Sequence, residues 1–393
     1  MKSHVGVFIH GYGKPVGTLY CNRNTFTFTY DEQWIEQGFS LSPTMAVENK
    51  THYSQGLHPI FSDVAPDRWG RKLIDKKLHM HGHKGQILDM HYLLELSDDM
   101  RMGALRFSLD GGITFIGERD DIPPVSSLPK FIRLTDAMIN GERNDYSALM
   151  SNVSLGGARA KLMVKDHDGR FKLAKLPQPN DIDDIEGWEF VLLELAKKAG
   201  IHVAAATLHG DRKRHALLLE RFDRTPEATR IHYMSAMTLL DLHDGESDES
   251  SYADLADEMS RICDISCLHQ LFRRMVFNII TSNVDDHLRN HGFLYINGTW
   301  KLSPAFDMTL SGNYGDPHAL HIYDKSSPDV IETTMAAYAH FHLNKKESDA
   351  IMLEVAEAVE EWENVAQRNQ LRGIDDQRHK FASHEAKLYV GVV

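Results

Sequence analysis

Residues 268–290 read LHQLFRRMVFNIITSNVDDHLRN, and the fold turns on how the first half of this stretch meets the second. Leu268, Leu271, Phe272, Met275, Val276, Ile279 and Ile280 recur at i, i+3, i+4, i+7, i+8, i+11 and i+12, which predicts a helix with one wide buried face. That helix runs directly into SNVDDHLRN, residues 282–290, where two carboxylates, a histidine and two asparagines crowd together. Charged groups mounted on the end of a buried helix are partly desolvated, so they need a cation, hydrogen-bond donors or a shifted pKa to remain there. A functional site is expected at this point.

Working outward, Asp285 and Asn290 stand five residues apart, the spacing of the catalytic aspartate and the metal-binding asparagine in a protein-kinase catalytic loop. FLYINGTWKL follows, a hairpin marked by Asn297-Gly298, and then LSPAFDM, so Asp307 lies beyond a β-turn-β, where kinases place a magnesium-binding aspartate. In RFKLAKL, Phe171, Leu173 and Lys175 share one face of a predicted strand, which sets an ammonium among apolar neighbours where it needs a partner. Glu189, in the helix predicted over 186–199, is the candidate partner. SLGGARAK, residues 154–161, carries paired glycines, Gly156 and Gly157, that suit a phosphate cradle or a tight turn equally; neither GxxxxGK[ST] nor GxGxxG is present. The strand HALLLERF turns from apolar to charged at Glu220, as a lobe-connecting hinge would.

The chain of 393 residues is too long for one ordinary core and carries a formal charge of −13, which argues against a broad nucleic-acid footprint. Three cysteines, Cys21, Cys263 and Cys267, suit a reducing compartment, and buried thiols are the expected state of the last two. No run reaches a membrane span and no secretory leader is apparent, so a soluble cytoplasmic protein is expected. Alternation over Val5 to Tyr30 predicts an antiparallel sheet, and residues 63–105 read as helical. His79, His81 and His83 lack the spacing of a convincing metal site. ERDDIPPVSSLPKF, 118–131, reads as a linker and HDGESDESS, 243–251, as an exposed loop. Three parts are expected: 1–120, an N-terminal subdomain; 131–250, an N-lobe-like part; and 251–393, a helical C-lobe.

With SLGGARAK, AKLP, ERFDR, NVDDHLRN and SPAFDM in this order, the chain resembles the HipA family of serine/threonine kinases, toxins of bacterial type II toxin–antitoxin systems. VGTLY, FTYDEQWI, LSPTM and FSDVAPDRWGRKL are similar to that family's first subdomain. The resemblance implies an α+β, two-lobed protein-kinase-like fold with a β-rich N-terminal subdomain and a mostly helical C-terminal lobe. It implies ATP and Mg²⁺ as cofactors, Asp285 as catalytic aspartate, and Asn290 and Asp307 as metal ligands. His287 and Lys175 would lie on the phosphates, Gly156, Gly157 and Ala158 in the nucleotide loop, and the backbones of Glu220 and Phe222 against adenine. Ser154 matches the family's autophosphorylated serine. The implied partners are a helix-turn-helix antitoxin, operator DNA only through that antitoxin, and a protein substrate of the kind exemplified by aminoacyl-tRNA synthetases. Two other readings remain: a metal-dependent phosphohydrolase using Asp285, Asp286, His287 and Asp307, and a catalytically silent kinase-fold module.

Overall fold

The structure, a computed structural model, describes residues 2–391 except 67, 119–120, 143–145, 147–148, 150–158, 212–213, 244 and 247–249. The chain divides into two compact units, Met1–Asn180 with Leu218–Met234, and Asp181–Leu217 with Ser235–Val393.

In the first unit, alternating sequence produces β1 (Lys2–Ile9), β2 (Pro15–Asn22) and β3 (Thr25–Tyr30), joined by β4 (Thr51–Gln55) and β5 (Leu105–Ser108). The five form an antiparallel sheet in the order β4-β3-β2-β1-β5. Val5, Val7, Leu19, Phe26 and Phe28 point into the core, where Phe28 packs on Phe61 and Phe61 on Phe107. The opposite face shows Tyr20 and Tyr53 to solvent. The expectation of helix through residue 105 fails at its end: Leu105–Ser108 is a strand buried on both faces, so it carries no alternation to distinguish it. The helical part of that stretch is chiefly α1 (Arg68–Met80) and a short helix Asp89–Glu95. His79 and His81 turn their Nδ1 atoms to the carbonyls of Asp75 and Lys77, closing the end of α1.

Further along the same unit, β6 (Lys161–Lys165) and β7 (Phe171–Lys175) make the expected antiparallel hairpin, with Lys161 directly opposite Lys175. The end of the predicted linker is helical, since a helix begins at Leu128. β8 (Ala206–Asp211) lies in the second unit, while β9 (Arg214–Glu220) and β10 (His232–Ser235) each have residues in both units.

The second unit contains α2 (Ile185–Lys198), α3 (Tyr252–Met259), α4 (Ile265–Ile280) and α5 (Lys345–Glu360), with the hairpin β11 (Gly292–Ile296) and β12 (Thr299–Leu302). Its turn holds Asn297 and Gly298 at φ 52° and 81°, the left-handed pair that a two-residue hairpin demands. α4 is buried on nearly every side: its apolar stripe packs inward, and Phe277, Arg274 and Asn278 are covered as well. The polar segment before α3 does not stay exposed to its end. Ser251 is fully buried and reciprocally capped with Asp254, which starts the helix.

Candidate active site

α4 ends where Ser282 adopts φ 51°, a left-handed turn made here by a serine whose hydroxyl donates to the Lys380 carbonyl at 2.7 Å. From there the chain crosses Asn283–His287, makes a short 3₁₀ turn over Leu288–Asn290 and enters β11. Each residue of this loop has its own anchorage, and the anchorages differ sharply.

Asp286 faces inward and is 3% exposed. Its carboxylate accepts from the Tyr252 hydroxyl, in a very short contact, and pairs with His291 Nε2 at 2.8 Å. Tyr252 is itself fully buried at the start of α3, and its oxygen accepts from Asn278 Nδ2 of α4 at 2.9 Å. Burial alone would raise the Asp286 pKa, yet the charge and hydrogen bond of His291 with the Tyr252 hydroxyl hold it below the ordinary carboxylate range. Tyr252 is driven well above its usual value by burial and by the Asp286 charge, so the phenol remains a neutral donor.

Asp285 turns the other way and is exposed. Partial desolvation raises its pKa, His287 opposes the shift, and the charges of Asp307 and Asp286 add to it. Two carboxylates near enough to oppose each other's ionisation form a site that a cation would relieve. The pairing of Asp285 with Asp307 comes from a set of cross-links between segments some 26 residues apart. Asn283 Oδ1 accepts from Thr309 Oγ1 at 3.2 Å and Ser311 Oγ at 3.4 Å, and the Asp285 amide donates to Ser311 Oγ at 2.9 Å. Gly312 N donates to the Ser282 carbonyl at 3.1 Å, and a Cβ on Gly312 would stand 2.6 Å from Val284 Cγ1. Asp307 is half-buried and holds φ 61°, a costly conformation for a residue with a side chain and one that concentrates at functional sites.

Asn290 is buried and its amide nitrogen donates to the Asp285 carbonyl at 3.4 Å, so the metal-ligand candidate and the base candidate are hydrogen-bonded through the loop backbone. His287 is half-buried, and its Nδ1 has no hydrogen-bond partner among the described residues. Among those residues no group of three or more His, Cys, Asp or Glu side chains is placed to hold a metal ion. Magnesium does not require one, because it binds through one or two carboxylates or an amide together with phosphate and water oxygens. The Asn290 amide oxygen and the Asp307 carboxylate are donors of the kind such an ion takes.

The other predicted residues belong to elements of both units. Lys175 is buried at the end of β7 in the first unit, and Glu189 is buried on α2 in the second. Glu220 and Phe222 belong to the first unit; the Glu220 carboxylate pairs with Lys172 at 2.6 Å, and the Phe222 ring leans on Tyr233 at 6.3 Å. Ser154, Gly156, Gly157 and Ala158 lie outside the described residues. Sequence reasoning missed Tyr252, Asn278, His291 and Ser311, and noted Asn283 without giving it a role. The available signal was Asn278, an amide one turn from Arg274 in the middle of an apolar helix, where a buried polar group needs a partner.

The HipA-like C-terminal domain model matches residues 153–363, more than half of the chain, and the HipA N-terminal domain model matches residues 7–108. This chain belongs to the HipA family. Among curated relatives, the Sinorhizobium fredii protein Y4dM is 25% identical over 333 residues, covering 76% of this chain and 75% of its own. The serine/threonine-protein kinase toxin HipA of Shewanella oneidensis is 22% identical over 340 residues, covering 78% and 76%. Among solved structures, HipA of Shewanella oneidensis, in a complex with HipB and its operator DNA, superposes with a TM-score of 0.70 at 17% identity. That match covers 98% of this chain and 95% of the other, so the α+β, kinase-like HipA fold extends over the whole length. Among the described residues, no helix is long and apolar enough to cross a membrane.

Proposed function

We propose that this HipA-family chain is a serine/threonine protein kinase that transfers the γ-phosphate of ATP to a protein hydroxyl and acts in the cytoplasm as the toxin of a HipA-type toxin–antitoxin system. The observation that carries the reading is the outward-facing Asp285, whose pKa is raised in part by Asp307, on a loop that hydrogen bonds tie to the 309–312 segment.

In this reading Asp285 accepts a hydrogen bond from the attacking hydroxyl and orients it, the role of a catalytic-loop aspartate. Asn290 and Asp307 would hold Mg²⁺, which offsets the charge of the phosphate oxygens. His287 Nδ1, without a hydrogen-bond partner among the described residues, would face a phosphate oxygen. Lys175, with Lys161 opposite it, concentrates positive charge on one face of the hairpin that follows the glycine segment. Gly156, Gly157 and Ala158 would wrap the phosphates, and the backbones at Glu220 and Phe222 would meet adenine; the side chain of Glu220 is engaged by Lys172 and leaves the backbone to that task. Glu189 would brace Lys175. Ser154 is the proposed autophosphorylation site, where roughly −1.5 to −2 charges would disfavour ATP beside it. The Shewanella HipA structure suggests the partner: a helix-turn-helix antitoxin that brings the kinase to operator DNA. The substrate class is a translation enzyme such as an aminoacyl-tRNA synthetase.

The phosphohydrolase reading needs Asp286 as a metal ligand, and that carboxylate is engaged by Tyr252 and His291. The test is incubation of the purified chain with γ-labelled ATP and Mg²⁺. Label should appear on the protein, at Ser154 by peptide mass spectrometry, and Asp285→Asn should abolish it. Label released wholly as free phosphate would favour hydrolysis, and ATP bound without turnover would favour a silent module. Phosphoproteomics of cells expressing wild type or Asp285→Asn would then name the substrate.

A further inference from the structure

Asp329 belongs to none of the motifs above, and it is buried, 5% exposed. Its Oδ2 accepts from the His318 amide at 2.9 Å and pairs with His321 Nδ1 at 2.9 Å, while Oδ1 accepts from the Ile322 amide at 3.2 Å. Three partners on two oxygens compensate a charge that burial would otherwise make costly. All three lie in residues 318–322, so one side chain fixes the course of that segment. The chain returns to Asp329 through a tight turn, in which Asp324 Oδ1 accepts from the Ser326 amide at 2.7 Å.

The neighbours of that segment connect it to the site. The Ala319 amide donates to the Val284 carbonyl at 2.9 Å, one residue before Asp285. On the other side, the Tyr252 amide donates to the His321 carbonyl at 2.7 Å and the Ala253 amide to the Ile322 carbonyl at 3.2 Å. Ser251 and His321 pair there as a parallel bridge. Tyr252 is the residue whose hydroxyl binds Asp286. Residues 318–322 are thus hydrogen-bonded both to the start of α3 and to the loop that carries Asp285 and Asp286. We propose that Asp329 is a positioning residue for this loop: it holds residues 318–322 as a strap that sets Val284, and with it Asp285, against Tyr252 and Asp286.

Both oxygens of Asp329 already serve the segment, so it acts through the loop and not on a substrate. Without the carboxylate, two backbone N–H groups and an imidazole nitrogen lose their acceptor, and the segment must shift to rehydrate them. The bonds from Ala319 to Val284 and from Tyr252 to His321 would shift with it. The consequence for catalysis rests on the kinase reading above, in which a displaced Asp285 slows phosphate transfer while ATP binding changes little. The consequence for the loop itself does not depend on that reading.

Full-length wild type and Asp329→Ala are compared by hydrogen–deuterium exchange and mass spectrometry without ATP. In Asp329→Ala, peptides covering 317–322, 250–256 and 282–291 should exchange about 10-fold faster, while those covering β1 to β3 keep the wild-type rate. Unchanged exchange over 282–291 overturns the proposal, whether or not the chain transfers phosphate. Should the alanine variant fail to fold, Asp329→Asn, which loses the charge and one acceptor oxygen, is read on the same peptides: faster exchange over 282–291 supports the strap, and the wild-type rate overturns it. With γ-labelled ATP and Mg²⁺, Asp329→Ala should transfer label about 10- to 100-fold more slowly at saturating ATP, with the KM for ATP unchanged. A rise in KM alone, or slower transfer with the loop's exchange unaltered, also overturns the proposal. A wild type that transfers no label counts against the kinase reading and leaves the exchange comparison to decide the role of Asp329.

Discussion

Asp285 and Asp286 are adjacent in sequence and opposite in physics. Asp286 is an ionised carboxylate paid for by Tyr252 and His291, and its depressed pKa makes it a source of stability at neutral pH. Asp285 has a raised pKa, so ionising it costs the folded state, and that cost grows as pH rises through the carboxylate range. Removing each should therefore act in opposite directions. Asp286→Ala leaves buried donors on two sides and should lose about 3–5 kcal/mol in urea unfolding, whereas Tyr252→Phe should lose about 1–3 kcal/mol. Asp285→Asn, by contrast, should melt at or above the wild-type temperature at pH 7, with any gain shrinking as salt is added. Equal losses in Asp285→Asn and Asp286→Ala would mean that the two carboxylates do not divide bracing from chemistry as their surroundings indicate.

Between elements, the decisive joint is Asn283, which receives Thr309 and Ser311 on one side and donates to Asn278 Oδ1 at 3.1 Å on the other. It links the core helix α4, the loop and the segment after Asp307 through one amide. Asn283→Ala should lower the rate of phosphate transfer about 10- to 100-fold while ATP binding changes little, because the carboxylates lose their mutual placement. A kinetic split in which only KM moves would show that the joint serves binding instead. Much of this level was legible in the sequence: the periodicity of α4 and α2, the hairpin turn at Asn297-Gly298 and the alternation of β1 to β3 each follow from a local rule. The strands β4 and β5 were not. THYSQ is a polar edge strand, and LRFS is buried throughout, so neither shows a period. The role of Asn283 was invisible for a different reason, since its partners Thr309 and Ser311 lie 26 and 28 residues further along and only tertiary structure brings them together.

At the scale of the whole molecule, the first unit is assembled from two stretches of chain, and an arginine-rich network fastens the short one to the long one. Arg230 donates to Asp98 at 2.6 Å, Arg106 to the same carboxylate at 2.9 Å, and Asp223 accepts from Arg221, Arg224 and the Gly103 amide at 2.6–2.7 Å. The ERFDR motif, which the sequence offers as a hinge candidate, acts within the first unit as a clasp, which spacing could not reveal because its partners lie some 120 residues earlier. Burial works against both carboxylates, but the arginines outweigh it and hold Asp98 and Asp223 below the ordinary range. As pH falls through about 4 the unfolded chain takes up these protons first, so the stability they supply is present above that pH and lost below it. Wild type should therefore melt at progressively lower temperature between pH 5 and pH 3. Asp98→Asn should be less stable at pH 7 by about 3–5 kcal/mol, since it leaves Arg230 and Arg106 without their shared charge, and its melting temperature should fall less steeply with acid. Other depressed carboxylates, Asp110 and Asp166 among them, acidify both proteins alike, so the gap between the two curves isolates Asp98. Parallel curves from pH 7 to pH 3 would exclude Asp98 as a charged clasp and leave the segment to the Asp223 bond with the Gly103 amide and to arginine bonds with backbone carbonyls.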